Sequence, residues 1–422
     1  MADNLTKKGK GKKGRTKMIY AKENGRVIPE EDKVFALSGR AKARIAEKGK
    51  AAVVNATVGA LLDDEGELVV LTSVSEAIKT LKPADYAEYA PIAGTPDFKE
   101  AVKKAIFADY DPGCQIEACA TPGGTGSLKI AIANYSEPGD KILTHDWCWA
   151  NYKNICKEHG RDLATFRFFD EDGKFDADDL KQQIEELSKS QDQILLMLNT
   201  PAHNPTGYAL SLEDWDRVIE VLNGSAVKIA LLLDIAYIDY AGEDDEVRAF
   251  LPKLAELKEN VFVMFGYSAS KTLTAYGMRC GAIVCMSKDI EAAAEFKKTA
   301  EYTARSTWSN CNRAAQVVMG KVYSDPELLE KVRSERRTYR DMLLARGRAF
   351  ERALNEEGVK SVPFVAGFFV TVECDDPAGV CAKLEDQDIF CLALPKGIRV
   401  SVASMSEAKC VKCAKAIAAL IK

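Results

Sequence analysis

Val261-Phe-Val-Met-Phe265 is followed by Ser268-Ala-Ser-Lys271-Thr-Leu-Thr-Ala-Tyr-Gly-Met-Arg279-Cys-Gly281. The first run is continuously apolar, as a strand buried on both faces should be, so Lys271 falls just past a strand end. A lysine there can lose its solvation and form a Schiff base with a carbonyl cofactor. Ser268 and Arg279 can both reach a phosphate beside it. A surface loop that happens to carry Lys and Ser would read the same in isolation, so the rest of the chain decides.

Other apolar runs repeat the pattern: Lys141 to Thr144, Ile194 to Leu198, Ile229 to Leu233 and Ala282 to Cys285. Helical patterns alternate with them from Glu76 onward, which predicts an α/β domain with a largely parallel sheet. An amphipathic helix is predicted over Val34 to Glu47, and a long one from about Asp325 to Glu357. Shorter strands follow, in Gly367 to Glu373, Ile389 to Leu394 and Ile398 to Val402, before a last helix. These C-terminal elements and the N-terminal flank predict a second, smaller α+β domain.

Composition narrows the class. A chain of 422 residues with 47% hydrophobic residues suits a globular enzyme of more than one domain. A formal charge of −5 argues against bulk nucleic acid as a partner. Twelve cysteines lie unpaired in spacing except Cys410-Val-Lys-Cys413, which reads as ordinary helix cysteines. Free thiols in that number suit a reducing cytosol. There is no apolar run of about eighteen residues and no apolar signal core, so the expectation is a cytoplasmic protein without a membrane partner. The basic, low-complexity stretch Lys7 to Lys17 is expected to be a solvated flexible tail, residues 1–20.

Five further groups fall at strand ends or helix starts, where α/β sheets hold ligands. Thr121-Pro-Gly-Gly-Thr-Gly126 precedes a helical pattern, so free N–H groups could cup one phosphate. It matches neither a Walker loop nor the dinucleotide spacing. Asn204-Pro-Thr-Gly207 is either a plain turn or the source of an amide that donates to a phenolic oxygen. Asp234 ends a buried strand and needs a cationic partner or a helix to cap; a protonated ring nitrogen would serve, with Tyr237 in reach of the same ring. Trp147 or Trp149 could stack on a flat ring. Arg399, among apolar strand residues, calls for a carboxylate, internal or from a substrate. A Schiff-base lysine, a phosphate cup, an aspartate for a pyridine nitrogen, phenol-oxygen donors and a stacking indole together describe pyridoxal 5'-phosphate (PLP).

From about Val53 to its C-terminus the chain resembles the class I aminotransferases of PLP fold type I, above all the aspartate/aromatic subgroup. The motifs that carry this are Thr121 to Gly126, Asn204 to Gly207, Asp234 with Tyr237, Ser268 with Lys271 and Arg279, and Gly397-Ile-Arg-Val400. The resemblance implies a seven-stranded, mostly parallel sheet flanked by helices in the large domain. It makes Lys271 the Schiff-base lysine, and Gly124, Thr125, Ser268 and Arg279 the phosphate binders. Asp234 becomes the partner of the ring nitrogen, and Asn204 and Tyr237 the ligands of the ring oxygen. It selects Trp149 over Trp147, assigns Arg399 to the substrate α-carboxylate, and sets Gly59 beside the substrate. Tyr89 would reach the phosphate of a neighbouring subunit. Arg305 would bind the distal carboxylate of a dicarboxylic substrate across a homodimer interface, in shared active sites. Two positions depart from the pattern: Tyr152 stands where many members carry a histidine, and Leu62 where aspartate-type members often carry a basic residue.

The implied activity is transfer of the amino group of L-aspartate to 2-oxoglutarate by a ping-pong mechanism, with aromatic amino acids as alternative donors. The implied partners are small amino acids and 2-oxo acids. The implied division is an N-terminal arm and part of the small domain over 21–68, a large PLP-binding domain over 69–334, and the rest of the small domain over 335–422. A fold type I lyase or decarboxylase shares the ring-binding set, and Arg305 argues against it. A PLP-sensing regulator would need a DNA-binding module that the N-terminal flank does not show. A nucleotide-dependent oxidoreductase leaves Lys271 without a role.

Overall fold

The computed structural model describes residues 20–22 and 32–422. The expected basic tail lies, but for Tyr20, outside the described residues. The helix Lys33–Lys48 is capped by Asp32, whose carboxylate accepts from the N–H groups of Val34 and Phe35. Strand β1 (Val54–Asn55) follows.

Seven strands make the main sheet: β2 (Gln115–Thr121), β3 (Lys141–His145), β4 (Asp162–Phe166), β5 (Gln193–Asn199), β6 (Lys228–Asp234), β7 (Val261–Tyr267) and β8 (Gly281–Ser287). Their order is β2-β8-β7-β6-β5-β3-β4. Neighbours run parallel except β8, which lies antiparallel to both β2 and β7. Every residue from Ile194 to Leu198 and from Ile229 to Leu233 is buried, because helices cover both faces of the sheet. Burying each such Leu or Ile contributes about 1.5–3 kcal/mol.

The remaining strands are β9 (Phe369–Glu373), β10 (Ile389–Phe390), β11 (Leu392–Leu394) and β12 (Gly397–Ser401). β1 pairs with β10, and β11-β12-β9 form an antiparallel sheet. A separate apolar cluster packs β1, β9, β10 and β12 against the helix Glu407–Ile421, which buries Cys410 and Cys413. The helix Pro326–Glu356 joins the two cores: Val332 and Leu343 sit in the first, Phe350 and Leu354 in the second. Position 334/335, expected as a domain limit, thus falls within one continuous helix.

Chain order along the sheet reverses between β3 and β5. The crevice outside the carboxyl ends of strands at such a reversal is where open α/β sheets bind ligands. The loops after β3 and β5 border it, the Asp234 end of β6 lies beside them, and β12 faces it through Arg399. No described helix is long and apolar enough to cross a membrane.

Candidate active site

Lys271 lies in the single turn Ala269–Thr272 just beyond β7. Its Nζ donates to the carbonyl of Gly59 at 2.6 Å. The rings of Tyr276, Tyr237 and Phe368 surround it, with centroids at 4.8, 5.2 and 5.5 Å. Burial lowers the amine from its ordinary range to about 7, and Arg279 and Arg399 push it the same way.

A glycine-rich turn lies near that amine. Gly123, with φ of 74°, turns the chain into the helix Gly124–Asn134, whose first residues are Gly124 and Thr125. A Cβ on Gly123 would sit 2.5 Å from Arg279 Nη2, and one on Gly124 would sit 3.6 Å from Ser268 Cβ. The helix N-terminus, Ser268 and Arg279 therefore converge on one small volume. Arg279 donates only to neutral oxygens: Tyr276 O at 3.1 Å, Pro122 O at 3.3 Å and Ser270 Oγ at 3.4 Å. Among the described residues no carboxylate pairs with it, so it remains available to an anion.

Asp234 ends β6 and is buried. Burial raises its pKa, while the Tyr152 hydroxyl and the Ala236 N–H lower it. Tyr152, fully buried, donates to Asp234 Oδ2 at 2.7 Å. The phenol thus takes the place that the family pattern gives to a histidine. Asn199, at the end of β5, ties the neighbouring strand ends together. Its Nδ2 donates to Asp234 O at 2.7 Å, and its Oδ1 accepts from Asn204 N at 2.7 Å. Trp147 is buried in the main core, whereas Trp149 is half-buried, edge-on to Tyr152 with centroids 5.9 Å apart. That leaves Trp149 as the indole free to stack.

Arg399 points from β12 toward the same place. Its Nη1 donates to Asn204 Oδ1 at 3.3 Å and its Nη2 to Thr57 O at 2.7 Å. Its Nε is buried without a partner, and the guanidinium sits 4.4 Å over the Phe369 ring. Burial lowers it to about 10. A buried guanidinium with no carboxylate in reach favours an incoming one. Gly59 is beside it: a Cβ there would lie 2.8 Å from Phe369 Cζ and 3.7 Å from Tyr237 Oη.

Tyr89 and Arg305 are not brought into this cluster. Tyr89 is 87% exposed. Arg305, in the last turn of the helix Ile290–Thr307, is exposed and donates to Ser309 Oγ. Leu62 is half-buried and its carbonyl is held by Arg346 at 2.9 Å. Besides Asn199, two members of the cluster were not among the residues expected from sequence. Tyr276 accepts from Leu61 N at 3.1 Å and so joins the Gly59 segment to the lysine turn. Phe368 walls the lysine. Tyr276 lies within the opening motif, five residues after Lys271; for Phe368 the sequence offers only an apolar strand start.

A lysine, a glycine-led helix start beside Ser268 and Arg279, and a buried carboxylate, all on the seven-stranded sheet with its switch point, are the arrangement of a PLP fold type I protein. Residues 51–417 match the family described as aminotransferase class I and II, and the chain belongs to it. A solved aminotransferase from Anaerococcus prevotii is similar at 36% identity and a TM-score of 0.93, over 96% of this chain and all of that one. A mitochondrial aspartate aminotransferase of Schizosaccharomyces pombe is 28% identical over 66% of this chain and 64% of its own length. A cytoplasmic aspartate aminotransferase of Dictyostelium discoideum is 30% identical over 65% of this chain and 63% of its own. The matches to these two relatives thus span somewhat less than two thirds of the relatives' lengths. PLP is the cofactor of the family. The residues present fit it: an amine whose pKa burial lowers to about 7, two guanidiniums that no carboxylate pairs with among the described residues, and a glycine cradle that a Cβ would fill.

Proposed function

We propose that this protein is a PLP-dependent aminotransferase that moves the amino group of L-aspartate to 2-oxoglutarate by a ping-pong mechanism. The observation that carries the reading is the setting of Lys271. A low-pKa amine lies between two guanidiniums, Arg279 and Arg399, that have no carboxylate partner among the described residues. Such a site takes an amino acid carboxylate on one side and a phosphate on the other.

When bound, PLP supplies an aldehyde for amine capture and a ring that withdraws electrons from the substrate Cα. The chain's own residues do the rest. Gly124, Thr125, Ser268 and Arg279 hold the phosphate. Asp234, kept in place by Tyr152 and Asn199, sets a negative charge against the ring nitrogen. Asn204 and Tyr237 donate to the ring oxygen, and Trp149 stacks on the ring. Arg399 binds the α-carboxylate and orients the substrate over Gly59. Lys271 Nζ, whose pKa burial lowers to about 7, takes the Cα proton and returns it on the other side of the transfer.

The proposal includes a homodimer, in which Arg305 of the partner subunit answers the distal carboxylate and the partner subunit's Tyr89 reaches the phosphate. It includes a cytoplasmic location, and a large domain over 69–334 set against a small one built from 21–68 and 335–422. Aromatic donors form a second reading, favoured by one observation: Leu62 leaves an apolar side chain where a basic one would favour aspartate.

The test is direct. PLP-loaded protein should change its visible absorbance on addition of aspartate and form glutamate when 2-oxoglutarate follows. Borohydride should fix the cofactor on Lys271. A panel of aspartate, tyrosine and phenylalanine then ranks the donors. Label on another lysine, or no glutamate from any donor, overturns the reading.

A further inference from the structure

One buried carboxylate near the site has no part in the chemistry above. Asp239 lies two residues after Tyr237, in the short turn Ile238–Tyr240, with its side chain only 2% exposed. Its Oδ1 accepts from Arg248 Nη2 at 3.1 Å. Its Oδ2 lies 3.1 Å from Arg336 Nη1 and accepts from Thr272 Oγ1 at 2.5 Å. Arg336 comes from the helix Pro326–Glu356. Arg248 is itself held by the carbonyls of Ala105 and Ile106, at 2.7 and 3.1 Å. Burial opposes the charge of Asp239, but Arg336, Arg248 and Thr272 outweigh it and lower the pKa. The carboxylate is therefore a fixed, ionised point, braced from two sides.

Thr272 is the residue after Lys271. The turn that holds both is only Ala269–Thr272, and Ser268 gives it no side-chain cap. A single helical turn has almost no stability of its own, so its rotation must be set from outside. Ser270 supplies one tether, its N–H and Oγ both directed to Cys280 O at 3.2 and 3.4 Å. The Thr272 hydroxyl supplies the other. Asp239 thus closes a ring of contacts: Tyr237 to Asp239 along the chain, Asp239 to Thr272 by hydrogen bond, Thr272 to Lys271 along the chain. The ring ends with Lys271 Nζ 5.2 Å from the Tyr237 ring centroid. A buried ion cluster is weak evidence for stability alone, because desolvation offsets most of the attraction.

We propose that Asp239 is a positioning residue that, through the Thr272 hydroxyl, fixes the Lys271 amine relative to the Tyr237 phenol. The proposal rests on the PLP aminotransferase reading above. Thr272→Val removes only the hydroxyl and leaves Asp239 with both guanidiniums, and Thr272→Ser keeps the hydroxyl. In the valine variant kcat should fall about tenfold with KM for the amino acid within about twofold of wild type. The pH midpoint of the visible absorbance of the lysine-linked cofactor should move by about half a unit or more. The serine variant should restore both. Thermal unfolding of the cofactor-free proteins reports any purely structural effect. A valine variant with a lower Tm but wild-type kcat and pH midpoint overturns the proposal, as does one identical to wild type throughout. A wild-type chain that takes up no PLP overturns the function reading and this proposal with it. Normal loading with an unmoved midpoint overturns this proposal alone.

Discussion

Lys271 can act as a base only if its freed amine is neutral when it meets the Cα proton, and its surroundings favour this at a cost in stability. The folded amine titrates at about 7, against an ordinary lysine value of 10.5. Below pH 7 the proton stays on in both folded and unfolded chains, and the folded one bears the full penalty of a charge in a poorly solvated place. Between 7 and 10.5 the unfolded chain binds more protons, so this contribution to stability rises with pH. Lys271→Met should therefore raise the Tm of the cofactor-free protein most at or below pH 7, by an amount worth on the order of a few kcal/mol. The gain should shrink toward pH 10. Melting both proteins across that range checks it, and a pH-independent difference contradicts the value of about 7. Tyr152 invites a second experiment. Its hydroxyl lowers the Asp234 pKa against the upward push of burial. A hydrogen bond to a charged group is worth about 1.5–3 kcal/mol. Tyr152→Phe should move the acidic limb of the pH–rate profile upward. An unmoved limb would leave Tyr152 as packing. From sequence, Tyr152 was visible only as a departure from a histidine, because nothing in the chain order says which side chains meet an aspartate 82 positions away.

At the scale of elements, the strands that sequence made plain are those buried on both faces. β3, β5, β6, β7 and β8 all read as apolar runs and all formed. β2 and β4 gave no such run. They are the two edges of the sheet, where half-solvated positions such as Gln115, Glu117 and Asp162 break the apolar pattern. The reversed direction of β8 was equally hidden, since an antiparallel strand buried on both faces has the same composition as a parallel one. The glycine-rich turn Thr121 to Gly126 was legible because glycine is required there. Gly123 has φ of 74° and no room for a Cβ beside the Arg279 guanidinium. Gly123→Ala should push Arg279 out of the cup and weaken PLP affinity by about tenfold or more, since a charge-assisted hydrogen bond to phosphate is lost. Equilibrium titration of cofactor-free protein with PLP measures this. Unchanged affinity would mean that Arg279 does not hold the phosphate.

At the scale of the molecule, one chain supplies every residue proposed to hold the cofactor ring and the α-carboxylate, but neither Arg305 nor Tyr89. Both are exposed on their own chain, and among the described residues the Arg305 side chain bonds to Ser309. Spacing and periodicity alone could not have placed them, because their proposed partners belong to a second copy related by symmetry; only the family resemblance pointed to them. The shared-site proposal makes a quantitative claim about mixed dimers. Arg399→Ala removes the α-carboxylate contact within a subunit, and Arg305→Ala removes the distal contact in its neighbour. Loss of a bidentate charge pair that leaves a carboxylate desolvated costs about 2–5 kcal/mol, so each homodimer should be nearly inactive toward aspartate. In a hybrid, the subunit carrying Arg305→Ala keeps its own Arg399 and receives an intact Arg305 from the Arg399→Ala subunit. The other site lacks both. Random reassortment makes half the dimers hybrid, each with one good site of two, so activity should recover to about a quarter of wild type. Phenylalanine has no distal carboxylate, so Arg305→Ala alone should leave its kcat/KM far less affected. Co-refolding the two variants and assaying with both donors decides the matter. No recovery with aspartate, or equal losses for aspartate and phenylalanine in Arg305→Ala, would return Arg305 to the surface of its own chain and withdraw the dicarboxylate assignment.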